Sequence, residues 1–594
     1  MNNDSNAKRL WYVLALALAL VFGGGALAAW VQTNGGTVDI KDVRFIGTNG
    51  MQLSALLYVP KGVTNKKPAP GIVAIHGYIN TRETQDGFAI EFARRGYVVL
   101  ALDQSGHGYS DPPAFANGYG GPDGLKYLRS LDIVDPNNVG LEGHSMGGWA
   151  SAIAAATAPK DYRAIVMAGS STGTAGAPTG TVTYPRNLGL IFSEWDEFSL
   201  LMWLSPVPKD IVNGPKLQAV FGANGPVEVG KLYGSIADGT ARKLYMPRTT
   251  HPQDHISTEA IGDAIEWMQM NLQGGNTLSP SDQIWYWKEI GTLVAFIGMV
   301  LALFPIGGLL LRTQYFQSLS EPAPAPKSAT GILWWVGALL TVALPILTFY
   351  WLQHLGNDWI KANSLWPQNI TIGIMVWAVG NGLIALVLFA LWHTTRNRAV
   401  GATLADYGLT WREGGLWHRV GKSLLLAVMV IGLAYLLVEL SDFLFKTDFR
   451  FWVLAVKLLS PLQFRIVLGF VLPFLFFFII QATVLHGQLR PPGLTLGREM
   501  LLNVALLIGG FIILLLVQYI PLLSGGTLAL HPIVPGGESL LTIVAFQFIP
   551  LLTVVALVST YFFRKTGHIY VGAFFNAMFI TWVIVAGTAT HIVP

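Results

Sequence analysis

Gly143-His144-Ser145-Met146-Gly147 sets a serine between two glycines, and its flanks turn that spacing into chemistry. Apolar residues precede it, and the helical run Met146–Thr157 (MGGWASAIAAAT) follows it. Ser145 therefore falls on a sharp strand-to-helix turn, which is strained and closely approached and needs neighbours without bulk. Its hydroxyl would stand at a helix N-terminus, where backbone N–H groups stabilise developing negative charge. That is the setting of a nucleophile; a plain glycine-rich turn is the competing reading. A serine nucleophile needs a base to take its proton and a carboxylate to orient that base. Downstream, Ser193-Glu194-Trp195-Asp196-Glu197 offers three carboxylates, and Met246–His255 (MPRTTHPQDH) offers His251 and His255. These two histidines have the i, i+4 spacing of a helical metal site. Pro252 argues against a helix there, and no H-E-x-x-H glutamate is present, so no metal site is predicted. No cofactor is expected.

The elements that must position these residues are legible from pattern. Val38–Phe45 and Gln52–Tyr58 alternate as strands around the turn Thr48-Asn49-Gly50. Gly71–Ile75 is a buried strand running into His76-Gly77-Tyr78, and Tyr97–Leu102 is another, ending in the glycine-punctuated loop Asp103–Ser110. Gln85–Arg95 reads as a helix stopped by Gly96, Gly124–Leu131 as a second, and Asp135–Asn138 as a turn into the nucleophile strand. Ala164–Ala168, Asn187–Phe192 and Ala241–Met246 are further strands. Ser257–Leu272 is an amphipathic helix with Ile261, Ile265, Met268 and Leu272 on one face. Apolar strands alternating with helices predict a mostly parallel sheet covered on both faces.

The whole chain has a different character. Its 594 residues are 52% hydrophobic and only 12% charged, with a mean hydropathy of +0.48, which points to a polytopic membrane protein. Residues 1–31 carry an apolar run after Lys8 and Arg9, long enough to span a bilayer, and predict an N-terminal signal anchor. Ala26-Leu27-Ala28 makes a cleaved signal peptide the rival reading. Residues 32–275 have mixed, soluble character, and 276–288 form an interfacial linker around Tyr286 and Trp287. Residues 289–594 hold eight further apolar runs, an all-α transmembrane region that brings the total to about nine spans. Arg312, Lys327, Arg396, Arg398, Arg412, Arg419, Lys422, Arg490, Arg498, Arg564 and Lys565 all fall on the side of Lys8 and Arg9. The positive-inside rule then places residues 32–275 outside a cell membrane, although the outer loop 442–464 holds Lys446, Arg450 and Lys457. Intramembrane polar residues such as Asn381, Gln481, Asn503 and Asn576 are amides, which suit interhelical hydrogen bonds better than ion-coupled transport. A net charge of +4 is small for this length and argues against a nucleic-acid partner. With no cysteine there is no thiolate nucleophile or cysteine metal site.

Residues of about 38–272 resemble the α/β-hydrolase superfamily, close to its dienelactone-hydrolase and prolyl-oligopeptidase-like esterases and peptidases. The matches fall in family order: His76-Gly77 after the third strand, Asp103 to Gly108 after the fourth, Gly143–Gly147 after the fifth, then an acid and a histidine. The resemblance implies an α/β-hydrolase domain ahead of the transmembrane region, and a triad in the order Ser, acid, His. Ser145 is its nucleophile. Asp196 stands where the family carries its acid, with Glu194 and Glu197 as rivals. His251 fits the family spacing from the last strand and to the final helix, with His255 as the rival. The oxyanion hole would use the backbone N–H groups of Met146 and Tyr78. His76 and His107 shape loops. The expected function is a membrane-anchored serine hydrolase of carboxylic esters working through an acyl-enzyme, its partners an amphiphilic or membrane-derived ester and the membrane. A serine peptidase on the same triad, or a transporter or receptor with a hydrolase-like outer domain, is the alternative.

Overall fold

The strands Gly71–Ile75 and Tyr97–Leu102 anticipated from pattern lie side by side in the middle of a nine-stranded sheet, and the reason is burial. In the computed structural model, which describes residues 3–411, 415–530 and 539–593, every residue of β3 (Ala69–Ile75) and β4 (Val98–Asp103) is buried. A strand buried on both faces has no polar side to present, so its sequence is a continuous apolar run. Around them lie β1 (Val38–Ile46), β2 (Gln52–Pro60), β5 (Val134–His144), β6 (Ala164–Ala168), β7 (Leu188–Ile191), β8 (Leu232–Tyr233) and β9 (Arg242–Tyr245). Their spatial order is β1-β2-β4-β3-β5-β6-β7-β9-β8. From β4 to β9 every pairing is parallel; β1, β2 and β8 are antiparallel to their neighbours.

The period of two along each strand divides the core. Val73, Ile75, Leu100, Leu102 and Leu141 face one side, where they meet Leu125 and Leu128 of helix Gly121–Ser130 and Ala150 and Ala154 of helix Met146–Thr157. Ile72, Ala74, Val99 and Ala101 face the other, against Phe88 and Phe92 of helix Asp86–Arg94 and Ile261, Ile265 and Met268 of helix Thr258–Asn271. Burying a side chain of this size contributes about 1.5–3 kcal/mol. The parallel strands all end on one edge, so the loops after β3, β5, β6, β7 and β9 converge there. Asp135–Asn138, expected as a turn, instead belongs to β5; Ala69 pairs with Val134 before a register shift, so the strand starts early and bulges.

The chain forms two units. One comprises Ala26–Gly291, Gln518–His531 and Gly587–Pro594; the other comprises Met1–Gly25, Thr292–Val517 and Pro532–Ala586. Among the described residues, eight helices are long and apolar enough to cross a membrane. A ninth candidate, Ile332–Leu347 with Phe349–Trp359, is bent by 50°. Pro345 sits just before the break, where its missing N–H and ring kink a helix. Three of the four amides make hydrogen bonds, Asn381 Nδ2 to Thr348 Oγ1 at 2.9 Å, Asn503 Nδ2 to Thr560 Oγ1 at 2.8 Å and Asn576 Nδ2 to the Val555 carbonyl at 3.2 Å, whereas the Gln481 amide is buried without one among the described residues. Arg450, one of the cations of loop 442–464 that run against the predicted orientation, is buried and paired with Asp448 at 2.6 Å. Arg412, counted above among the inner cations, lies outside the described residues.

Candidate active site

β5 ends at His144, and the next residue, Ser145, has φ 56° and ψ −119° before the helix starts at Met146. This is a strained conformation for a residue with a side chain, and it persists only where the surroundings enforce it. They do so through hydrogen bonds and steric room. The Ser145 N–H donates to the Ala168 carbonyl at 2.8 Å, and Ser170 Oγ donates to the Ser145 carbonyl at 2.7 Å. A Cβ on Gly143 would fall 2.2 Å from the Gly147 carbonyl oxygen, and one on Gly147 would fall 1.9 Å from that of Ile75. Both glycines of the pentapeptide are therefore required by close backbone approach. Ser145 itself is half-buried, and Met146 takes the first position of its helix.

The loops after β7 and β9 are laced together. Glu194 N–H donates to the Pro247 carbonyl at 2.9 Å and Trp195 N–H to that of Thr249 at 3.1 Å. This brings Asp196 to His251: His251 Nδ1 lies 2.8 Å from Asp196 Oδ2, while Asp196 Oδ1 accepts the Phe198 N–H at 2.7 Å. Asp196 is fully buried and His251 nearly so. Burial holds the His251 imidazole down to about 4, so the ring is neutral near pH 7. Burial pushes the Asp196 carboxyl well up, the Asp254 charge adds to that, and the Phe198 N–H opposes it. The His251 ring packs on Phe198 at 4.5 Å and on His144 at 4.6 Å. His144 Nε2–H donates to the His251 carbonyl at 2.9 Å, tying the residue before Ser145 to the histidine loop.

The rival residues separate. Glu194 pairs with Lys209 and, at 3.3 Å, with Arg248, away from the imidazoles. The His255 ring packs on His144 at 4.0 Å with the two planes tilted by 56° and meets Phe88 edge-on at 6.3 Å. Glu197 is closer to the site than the sequence suggests. Its Oε2 accepts the backbone N–H of His251 at 2.8 Å, and its Oε1 accepts the hydroxyl of Tyr519 at 2.6 Å.

The loop after β3 passes alongside the nucleophile, since a Cβ on Gly77 would fall 3.1 Å from that of Ser145. That puts the Gly77 backbone, one residue before Tyr78, beside Ser145. His76 is fully buried between two backbone partners: its Nδ1 lies 2.7 Å from the Gly77 carbonyl, and its Nε2 accepts the Gln104 N–H at 3.1 Å. His107 Nδ1 donates to the Ser105 carbonyl at 3.0 Å, and burial together with the neighbouring His76 holds its imidazole down to about 3. Both histidines organise loops, as expected. The Tyr78 ring packs on His107 and Phe115 at 5.7 and 5.6 Å, and its hydroxyl lies 3.0 Å from His591 Nε2. Sequence reasoning did not find Tyr519 or His591. Each lies far along the chain in apolar surroundings, and no motif marks it.

This arrangement defines a domain of the α/β-hydrolase fold. A family profile described as the alpha/beta hydrolase fold matches residues 70–190. A serine hydrolase-like protein of Dictyostelium discoideum is 30% identical over 128 residues, which are 21% of this chain and 33% of that protein. The quorum-quenching protein AidA of Acinetobacter baumannii is 36% identical over 114 residues, 18% of this chain and 36% of AidA. The matches span about a third of these relatives' length. Among solved structures, the Pyrococcus furiosus esterase Pf2001 is similar at 16% identity, covering 40% of this chain and 93% of the esterase, with a TM-score of 0.29.

Proposed function

We propose that this protein is a membrane-bound serine hydrolase that cleaves carboxylic esters, with its hydrolase domain outside the cell membrane. The observation that carries the reading is the 2.8 Å pairing of Asp196 Oδ2 with His251 Nδ1, on the sheet edge that also bears the strained Ser145 turn. With Nδ1 carrying its proton to Asp196, Nε2 of the neutral ring takes the Ser145 proton. Ser145 Oγ attacks the acyl carbon, forming the C–O bond of a tetrahedral intermediate. The N–H groups of Met146 and Tyr78 hold its oxyanion; one such donor typically contributes about 2.7–4 kcal/mol. His251 then gives its proton to the departing alkoxide as the ester C–O bond breaks. Water, deprotonated by the same imidazole, attacks the acyl-enzyme and releases the acid and free Ser145. The two hydrogen bonds of Asp196, to the His251 ring through Oδ2 and to the Phe198 N–H through Oδ1, support an orienting role for the acid.

The test is labelling of the full-length protein by a fluorophosphonate probe, with a panel of p-nitrophenyl esters and aminoacyl amides. The wild type should be labelled and prefer esters, and Ser145→Ala should lose both labelling and turnover. Labelling that survives in Ser145→Ala would sink the assignment.

A further inference from the structure

The two consecutive carboxylates at the end of the β7 loop divide one task. Asp196 holds the ring of His251, and Glu197 holds its main chain, accepting the His251 N–H at 2.8 Å. An imidazole is fixed in place only when both its ring and its backbone are fixed, and His251 is the first residue of the short 3-10 helix His251–Ile256, so its N–H has no acceptor within that helix and needs one outside it. The Glu197 carboxylate is in turn set by its second oxygen, which accepts the Tyr519 hydroxyl at 2.6 Å. Both side chains are buried, Glu197 at 8% and Tyr519 at 9% exposure, so water does not replace either partner cheaply. Tyr519 lies on helix Leu496–Leu523, one of the membrane-length helices, in its portion grouped with the sheet-bearing unit.

We infer that Glu197 and Tyr519 are positioning residues for His251, so that a residue from a membrane-length helix sets the geometry of the catalytic base. The inference rests on the proposed function, since a base must exist to be positioned. The chain of contacts is short and directional: Tyr519 O–H to Glu197 Oε1, Glu197 Oε2 to His251 N–H, His251 Nδ1–H to Asp196 Oδ2. Burial and the Asp196 charge push the Glu197 carboxyl up to about 8, while the Tyr519 hydroxyl and the His251 N–H act against that rise. Removing the hydroxyl therefore loosens the hold on the histidine main chain without touching the ring contact. Small misplacements of a reacting group cost catalysis far more than binding. Substrate affinity, which does not use this contact, stays as it was.

The experiment compares wild type, Tyr519→Phe, Glu197→Gln and the double variant in the full-length protein, by ester kinetics, fluorophosphonate labelling rate and thermal unfolding. Tyr519→Phe keeps the ring and removes one hydroxyl. It should lower kcat and the labelling rate together by roughly 3–10-fold, with KM within about twofold and the unfolding midpoint nearly unchanged. Glu197→Gln should lower kcat further, and the double variant should be no worse than Glu197→Gln alone, because both changes break one chain of contacts. A labelled wild type whose kcat is untouched by Tyr519→Phe, whose loss falls on KM, or whose two losses multiply in the double variant overturns the positioning role alone. A wild type that resists the probe overturns the reading of Ser145, and the inference with it.

Discussion

The hydroxyl of Tyr78 and Nε2 of His591 lie 3.0 Å apart, although 513 positions separate them in the chain. Tyr78 is the residue whose backbone N–H is assigned to the oxyanion hole, so this contact braces the loop that would hold the oxyanion. The brace extends through the main chain. Thr590 N–H donates to the Gly106 carbonyl at 2.8 Å, the Thr590 carbonyl accepts the Ala114 N–H at 2.8 Å, and the His591 ring packs on Phe115 at 5.3 Å.

His591→Ala removes one hydrogen bond and the aromatic contacts, so it should destabilise the hydrolase unit by about 1–2 kcal/mol. Tyr78→Phe removes the hydrogen bond alone and should cost less. The double variant should fall short of the sum, since both changes delete the same bond. Thermal inactivation of ester hydrolysis measures all three; strict additivity would show that the 3.0 Å contact is not a working hydrogen bond.

The two histidines of the β9 loop give a ranked outcome. His251→Ala should lower kcat by roughly four to six orders of magnitude, as loss of a triad base does. His255 is packed against His144 and Phe88, whereas the two oxygens of Asp196 are taken by the His251 ring and the Phe198 N–H. Its alanine variant should lose less than about tenfold through a small shift of the His144 ring. The reverse ranking in ester kinetics would move the base to His255.

Much of this was legible in the sequence, for a local reason. The Ser145 elbow announces itself because two glycines and a helical run must flank it within a few residues. The central strands do so because burial on both faces leaves no polar position. The acid and base were narrowed by resemblance, and Asp196 and His251 are the pair that the loops bring together. Glu197 illustrates what escaped. Its distance from the β7 strand makes it a rival acid, whereas its contacts are with a backbone N–H and a tyrosine 322 positions on. Backbone donors carry no sequence signature, and neither Tyr519 nor His591 has a neighbour in sequence that hints at its partner. A composition-based division of the chain assigns both to a run of apolar helices, because hydropathy registers what surrounds a residue in sequence and not what it touches.

Gly147 supplies a steric test of the elbow. A Cβ there would meet the Ile75 carbonyl at 1.9 Å, and backbone cannot step aside as a flexible side chain can. Gly147→Ala should therefore displace the turn, cost about 1–3 kcal/mol as overpacking does, and slow fluorophosphonate labelling more than tenfold. Normal labelling in a correctly folded Gly147→Ala protein would contradict the close approach of β3 to the turn.

The proposed orientation rests on the distribution of charge. Protease added to intact cells or spheroplasts should cut loops within residues 32–275 and spare the loop 393–422, as the positive-inside rule requires. Cleavage confined to 393–422 would invert the topology and move the proposed esterase to the cytoplasm.

The pH dependence of the base has a definite sign. Burial holds His251 down to about 4, below the ordinary imidazole value of 6.5. The ring must be neutral to accept the Ser145 proton, so activity should be present above the native pKa and lost below it. The acid limb of the labelling rate should then have its midpoint near pH 4 instead of 6.5, provided the protein is still folded. The contribution of His251 to stability moves the same way: the unfolded chain takes up this proton below about 6.5, whereas the native ring does so only below about 4, so through this group falling pH favours unfolding across that window, while the raised carboxyls of Asp196 and Glu197 contribute with the opposite sign. His107, held down to about 3 by burial and by His76, extends the effect further. Labelling rate and unfolding midpoint should accordingly be measured on the same samples between about pH 4 and 8, separating a protonated base from a lost fold. A midpoint at 6.5 in protein that remains folded would mean that the imbalance between burial and ion pairing at His251 is absent, and that the ring is open to solvent in the working enzyme.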